Sequence, residues 1–291
     1  MPVGSLACGD VTVSAIVDEP VFEIALGHLF PACDPAHIAG ERWLDPLHVD
    51  LSRGMVQLGM HSWLLRTPAL NILVDTCIGA HKERPAHTAW HRRNTDRLLT
   101  ELAAQGVTQD EVDVVMCTHL HADHVGWNTR LVDGRWVPTF PNARYAMSGV
   151  ELAYWQERQA AAGTPANHGA LGDSVLPVVE AGQALFVGAG EQLAPGIEVV
   201  GLPGHTPDHL GLLLQRDGTR MLFCGDAIHS PVQLVRPEWA SAFCSDAAQA
   251  VATRRAMLEA VAADGALIAP AHFRGQRAMR VARHGDAFRP A

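Results

Sequence analysis

The alternation of apolar and polar positions divides the 291-residue chain into strands, hairpins and a few helices. Residues 6–17, ending in Val11-Thr12-Val13-Ser14-Ala15-Ile16-Val17, alternate like a first strand. From Asp18 to about Asp50 the pattern breaks into Pro, Gly and His among scattered apolar residues, too apolar for a disordered tail and too irregular for a helix. We read residues 18–50 as a structured arm or lid, or equally as a loop packed on the body or in a homodimer contact. Val56–Arg66 and Asn71–Asp75 predict a hairpin across Thr67-Pro68-Ala69. Asn94–Gln105 predicts an amphipathic helix with Leu98, Leu99 and Leu102 on one face and Gly106 as its stop. Thr108-Gln109-Asp110-Glu111 resembles a capped turn leading into Val112–Cys117, an apolar run that reads as a buried strand.

Beyond that strand the pattern predicts a short strand at 143–147 and a helix capped by Ser148 through about Ala161. A loop-rich stretch over 162–185 and a strand at Glu198–Leu202 follow. Gly211–Gln215 and Arg220–Cys224 pair across Asp217-Gly218. Asp246–Ala263 is the strongest helix, with Ala250, Met257, Leu258 and Val261 inward, and Ala266–Ala269 is a last buried strand. Strands and hairpins, a helix, strands, then hairpins and a helix again favour an α+β architecture of stacked sheets flanked by helices over one doubly wound sheet. No repeat or linker interrupts the chain, so residues 1–291 are expected to form one domain.

With 48% hydrophobic residues the chain can bury a large core, and a formal charge of -9 argues against nucleic acid as a partner. The basic clusters His91-Arg92-Arg93 and Arg254-Arg255 read as solvated helix faces. Cys8, Cys33, Cys77, Cys117, Cys224 and Cys244 show no close pairing, and Cys77, Cys117 and Cys224 lie in apolar runs as small buried hydrophobes. That usage, with no signal peptide and no stretch of eighteen apolar residues, predicts a cytoplasmic protein without a membrane partner.

The candidate chemistry is concentrated after the strand at 112–117. In Thr118-His119-Leu120-His121-Ala122-Asp123-His124, His119 and His121 project to one side of extended chain, while Asp123 and His124 enter the turn and can face a second point. This spacing suits two adjacent metal ions, with imidazole and carboxylate as donors and a position left open for water. Later candidates also follow strands: His205 after Val199–Leu202, Asp226 after Met221–Gly225, and His272 after Leu267–Ala269.

On these residues the sequence resembles the metallo-β-lactamase superfamily, marked by His-x-His-x-Asp-His, then Gly-His, Gly-Asp and a late His, all present here in order. The resemblance implies an αββα sandwich. It implies His119, His121 and His205 on a first metal, Asp123, His124 and His272 on a second, and Asp226 bridging both. It also implies that Asp75 supports the ligand loop without binding metal. The chemistry implied is hydrolysis, a metal-bridging hydroxide attacking a carbonyl or phosphoryl centre, with Asp123 relaying a proton. Two Zn2+ ions are the first expectation, although iron, manganese or cobalt suit the same donors.

The segment Gly225–Leu234 is similar to the branch holding methyl parathion hydrolases, lactonases and arylesterases. The acyl-homoserine lactonases place a Tyr three residues after the bridging Asp, and His229 stands there in this chain, able to donate a hydrogen bond or a proton instead. His209 is expected to support the site without binding metal. Trp127, Ile228, Val232, Leu234, Trp239 and Phe243, with Phe22, Phe30, Met55 and His61, are candidate pocket walls, with core packing the commoner role for each. A site so lined takes a small, neutral, largely apolar substrate: a lactone, an ester or, alternatively, a phosphotriester. The mononuclear iron persulfide dioxygenases of the superfamily form a reading of another class.

Overall fold

The computed structural model describes residues 5–163 and 165–291, and the chain groups into two compact units, each assembled from segments distant in sequence. The first unit takes residues 5–18 and 61–188, the second residues 19–60 and 189–291.

The first unit opens with a hairpin, Leu6–Cys8 against the start of Val11–Ala25, with Leu6 opposite Val13 and a left-handed Gly9 in the turn. The predicted strand over 6–17 is therefore two strands, and the second runs on to Ala25 into the region expected to be irregular. Asp18 disguises this. It is fully buried, and its carboxylate accepts from Arg93 Nη1 at 2.6 Å, Trp127 Nε1 at 3.2 Å and Ile78 N at 3.3 Å. A buried charge so compensated is tolerable inside a strand. Arg93 is thus engaged with Asp18 rather than solvated.

Met55–Arg66 pairs antiparallel with Asn71–Val74, Arg66 opposite Asn71, across the predicted turn. Asn71–Val74, Val114–Met116, Arg144–Met147 and Ala184–Phe186 then run parallel to one another in that order. The three inner strands bury apolar residues from Ile72, Val115 and Tyr145 onward, as parallel strands covered on both faces do, whereas Ala184–Phe186 at the edge is half-buried to exposed. Arg97–Ala104 forms the first helix here, burying Leu98 and Leu102 and starting three residues later than predicted. Ser148 caps the helix Gly149–Ala162 by accepting from the amides of Val150 and Glu151. The loop-rich 162–185 stretch contains short helical turns at Asn167–Gly169, Leu171–Val175 and Leu176–Glu180. A hairpin absent from the sequence prediction joins Thr129–Val132 to Arg135–Pro138 across Asp133-Gly134.

The second unit carries a seven-stranded sheet in the order Gln192–Ala194, Ile197–Gly201, Leu210–Arg216, Thr219–Gly225, Leu267–Pro270, Met279–His284, Ala287–Pro290. Only Thr219–Gly225 and Leu267–Pro270 are parallel neighbours, and the helix Ala247–Asp264 makes the long crossover such a pair requires. Its Met257, Leu258 and Val261 pack with Leu222, Ile268 and Phe273. Arg254 on the same helix is buried, against the expectation of a solvated face. Its Nε donates to Ala227 O at 3.0 Å and its Nη1 to Pro237 O and Trp239 O at 2.9 and 3.0 Å. Burial pushes its guanidinium down to about 10. Leu26, Leu29, Phe30, Ile38 and Leu44 bury themselves with Val56, Val232 and Trp239 in a second core cluster.

None of the six cysteines is in a disulfide, and Cys77, Cys117 and Cys224 are buried as expected. No helix among the described residues is long and apolar enough to cross a membrane.

Candidate metal centre

In the first unit the parallel strands Asn71–Val74 and Val114–Met116 end side by side, which brings Asp75 against Thr118. Asp75 Oδ1 accepts from Thr118 N at 2.8 Å, and its Oδ2 accepts from His124 Nδ1 at 2.9 Å. The Thr118 hydroxyl sits within 3.1 Å of both Asp75 oxygens and of His119 Nδ1. His119 and His124 are thereby oriented through Nδ1, which makes Nε2 the candidate metal donor of each. His119 Nε2 lies 2.9 Å from His121 Nδ1, and His124 Nε2 lies 3.8 Å from Asp123 Oδ2. His119 and His124 are buried, whereas His121 and Asp123 keep partial exposure.

The loop carrying these ligands is laced to residues 75–79. Thr76 N donates to His124 O at 2.6 Å and Gly126 N to Cys77 O at 2.7 Å. A Cβ on Gly126 would lie 1.9 Å from Ile78 O, so only glycine permits this approach.

In the second unit Asp226 is the focus. His205 Nε2 and His229 Nε2 lie 3.3 and 3.2 Å from its Oδ2, and His272 Nε2 lies 3.0 Å from its Oδ1. His272 Nδ1 donates to Gly59 O at 3.0 Å, which fixes its tautomer. His209 Nε2 accepts from the Asp226 amide at 3.0 Å, so this histidine positions the carboxylate. His205 is seated by the loop before the long helix: Ser245 N donates to His205 O at 2.8 Å, and Cys244 Sγ lies 3.7 Å from His205 Nδ1. Burial pushes the Cys244 thiol up to about 11, keeping it neutral beside the imidazole.

These donors fit divalent metal. All are imidazole nitrogens or carboxylate oxygens, and each of the two units holds a set of them. The 2.9 Å between His119 Nε2 and His121 Nδ1 approaches the ~3.3 Å edge of a tetrahedron with ~2.0 Å bonds. With Nδ1 donating to Gly59 O, a neutral His272 turns its Nε2 lone pair to an anionic oxygen, a pairing that a cation between them, metal or proton, makes favourable.

Sequence reasoning missed Asn167 and Cys244, which touch the ligand loops although neither belongs to a motif. Most candidate pocket walls are core: Ile228, Leu234, Val232, Trp239 and Phe30 pack in the two clusters, and Trp127 donates to Asp18. Phe243 alone among the candidate walls after Asp226 is substantially exposed, edge-on to His28.

The model of the metallo-beta-lactamase superfamily matches residues 57–272. The chain belongs to the metallo-β-lactamase superfamily, a class of metal-dependent hydrolases, and has its fold. Among solved structures it is similar to AbOPH, a hydrolase in the β-lactamase superfamily, at 25% identity over 98% of this chain and 95% of that one, TM-score 0.81. AidC, a dizinc quorum-quenching lactonase, shares the fold at 19% identity over 99% and 96% of the two chains, TM-score 0.77. A probable metal-dependent hydrolase from Staphylococcus aureus does so at 17% identity over 98% and 99%, TM-score 0.78. The beta-lactamase-like protein 2 homolog of Caenorhabditis elegans is 28% identical over 174 residues, 58% of this chain and 44% of that protein. The chain thus matches less than half the length of that curated relative.

Proposed function

We propose that this chain is a binuclear metal-dependent hydrolase that opens lactones or esters. His119, His121 and His205 would hold one divalent ion and Asp123, His124 and His272 the other, and Asp226 would be shared. The observation that carries the reading is Asp226, whose two oxygens are approached within 3.3 Å by three imidazole Nε2 atoms. When bound, two divalent ions, zinc first, would supply a water acidified towards a pKa of ~7 and polarise the oxygen of the carbonyl under attack.

The chain's own residues do the rest. Asp123 Oδ2, partly exposed beside His124, accepts the proton released in the attack. His229, buried with neither ring nitrogen in a hydrogen bond, donates one to the leaving oxygen. The net charge of -9 fits a small neutral substrate, and the lactonase among the structures of the same fold supports the substrate class. We place the activity in the cytoplasm, a reducing compartment that suits six cysteines without a disulfide.

The test is metal content per chain combined with a pH-indicator screen of an acyl-homoserine lactone, dihydrocoumarin, a p-nitrophenyl ester and paraoxon. About two ions per chain and acid release from the lactones are expected, with both lost in Asp226→Ala. Hydrolysis confined to paraoxon would replace the substrate class. Near wild-type activity in Asp226→Ala, or one iron with oxygen uptake on a persulfide and no hydrolysis, would overturn the reading.

A further inference from the structure

We propose that Asn167 is a positioning residue for His121, clamping the main chain on both sides of that ligand; the inference rests on the metal reading above. Asn167 Nδ2 donates to Leu120 O at 2.5 Å, and its Oδ1 accepts from the Ala122 amide at 3.1 Å. These are the carbonyl and the N–H flanking His121. One side-chain amide therefore fixes both peptide planes around the ligand, as a paired strand would. The other imidazoles of the loop are held differently. Thr118 and Asp75 orient His119 and His124 through Nδ1, whereas His121 turns its own Nδ1 towards His119 Nε2. The edge of Trp155 lies against His121, 5.4 Å away between ring centroids, and the main chain on both sides of it is held by Asn167.

The clamp sits on a strained segment. Asn167, His168 and Gly169 have φ of 50°, 53° and 86°, three successive left-handed residues of which two carry a Cβ. Such a run persists only where its surroundings over-determine it, and it concentrates at functional sites. Two fully buried cations supply that constraint. Arg84 donates to His168 O at 2.8 Å and pairs with both Asp173 oxygens at 2.6 and 2.9 Å. Lys82 Nζ donates to Asp173 O at 2.9 Å and to Thr129 Oγ1 at 2.6 Å. The short stretch from 168 to 173 is thus pinned at both ends, and what it presents is the Asn167 amide to the metal-ligand loop.

Two variants test the assignment. Asn167→Gly keeps the left-handed backbone and deletes the clamp. Asn167→Asp keeps the shape and the acceptor for Ala122 but sets an oxygen against Leu120 O. Each is compared with wild type by zinc affinity in chelator competition, by the absorption bands of cobalt-substituted protein, and by the thermal midpoint of metal-free protein. We expect zinc affinity ten- to a hundredfold lower in both, altered cobalt bands, and a metal-free midpoint within about 4 °C of wild type. Wild-type affinity and spectrum in either folded variant would overturn the assignment. So would failure of both variants to fold, or a midpoint loss large enough to account for the weakened binding, since Asn167 would then be structural. A wild-type protein that binds neither zinc nor cobalt would show instead that the metal reading itself fails, and this assignment with it.

Discussion

The placement of His229, the residue proposed to assist the leaving oxygen, is fixed by its neighbours. Its backbone N–H donates to Gln233 Oε1 at 2.7 Å, and Gln233 Nε2 donates to Trp239 O at 2.8 Å, so a buried amide seats the turn. The ring lies 3.2 Å from Asp226 Oδ2 but off the line of a hydrogen bond, and near-parallel to the His272 ring at 6.0 Å. A histidine that only filled space there would exchange for phenylalanine at little cost to turnover. His229→Phe is expected to lower kcat about a hundredfold, the lower end of a general-acid contribution, with metal content held near wild type. An unchanged kcat, measured on the best lactone of the panel, would return His229 to packing.

At the scale of elements, the turns after strands decide the site, and their geometry depends on backbone approach more than on side chains. Gly126 and Gly134 make the contrast. A Cβ at 126 would meet the Ile78 carbonyl and the Gly79 amide, rigid backbone that cannot rotate away, whereas a Cβ at 134 meets open space in a left-handed turn. Gly126→Ala is therefore expected to destabilise by about 3 kcal/mol, the top of the range for overpacking. Gly134→Ala is expected to cost only about 1 kcal/mol for its positive φ. Urea unfolding of the two variants checks the order; equal losses would mean that the loops at 75–79 and 119–126 adjust freely.

The same scale shows what the sequence could and could not disclose. The hairpin at Asp217-Gly218 was legible because both flanking strands are apolar and the turn dipeptide is diagnostic. The hairpin at Asp133-Gly134 has the same kind of turn, yet beyond Thr129 its strands Thr129–Val132 and Arg135–Pro138 are exposed or half-buried and show no buried alternation. Periodicity reports burial, so a solvated ribbon leaves little trace. The Met279–His284 and Ala287–Pro290 pair escaped because its alternation is short: only Met279, Val281 and Phe288 are buried, and the remaining positions are exposed or half-buried. Candidate ligands were visible because histidine and aspartate recur directly after strands. Asn167 and Arg254 were not, since their partners lie 45 and 27 residues away and nothing local marks a polar residue as engaged at such a distance.

For the whole molecule, the acid side of the stability curve carries a signature of one buried imidazole. His48 is only 5% exposed, between Trp43 and Phe273 in ring contact, and its Nδ1 makes no hydrogen bond. Burial first, and then the charge of Arg274, push its pKa down from 6.5 to about 4. The folded protein therefore keeps His48 neutral where the unfolded chain protonates it. Between pH 6.5 and about 4 the unfolded state binds the extra proton, so stability falls as pH drops through that window. It is unaffected above the window, and the penalty is constant below it. The full loss from this residue is roughly 3 kcal/mol. Other groups titrate in the same range, metal ligands among them, so the informative quantity is a difference between two proteins with the same metal content. Urea unfolding free energies of wild type and His48→Gln, taken from pH 6.5 to 4, are expected to converge by roughly 3 kcal/mol as the pH falls, because glutamine has no proton to gain. Curves that stay parallel across the window would mean that the fold accommodates a charged imidazole at position 48.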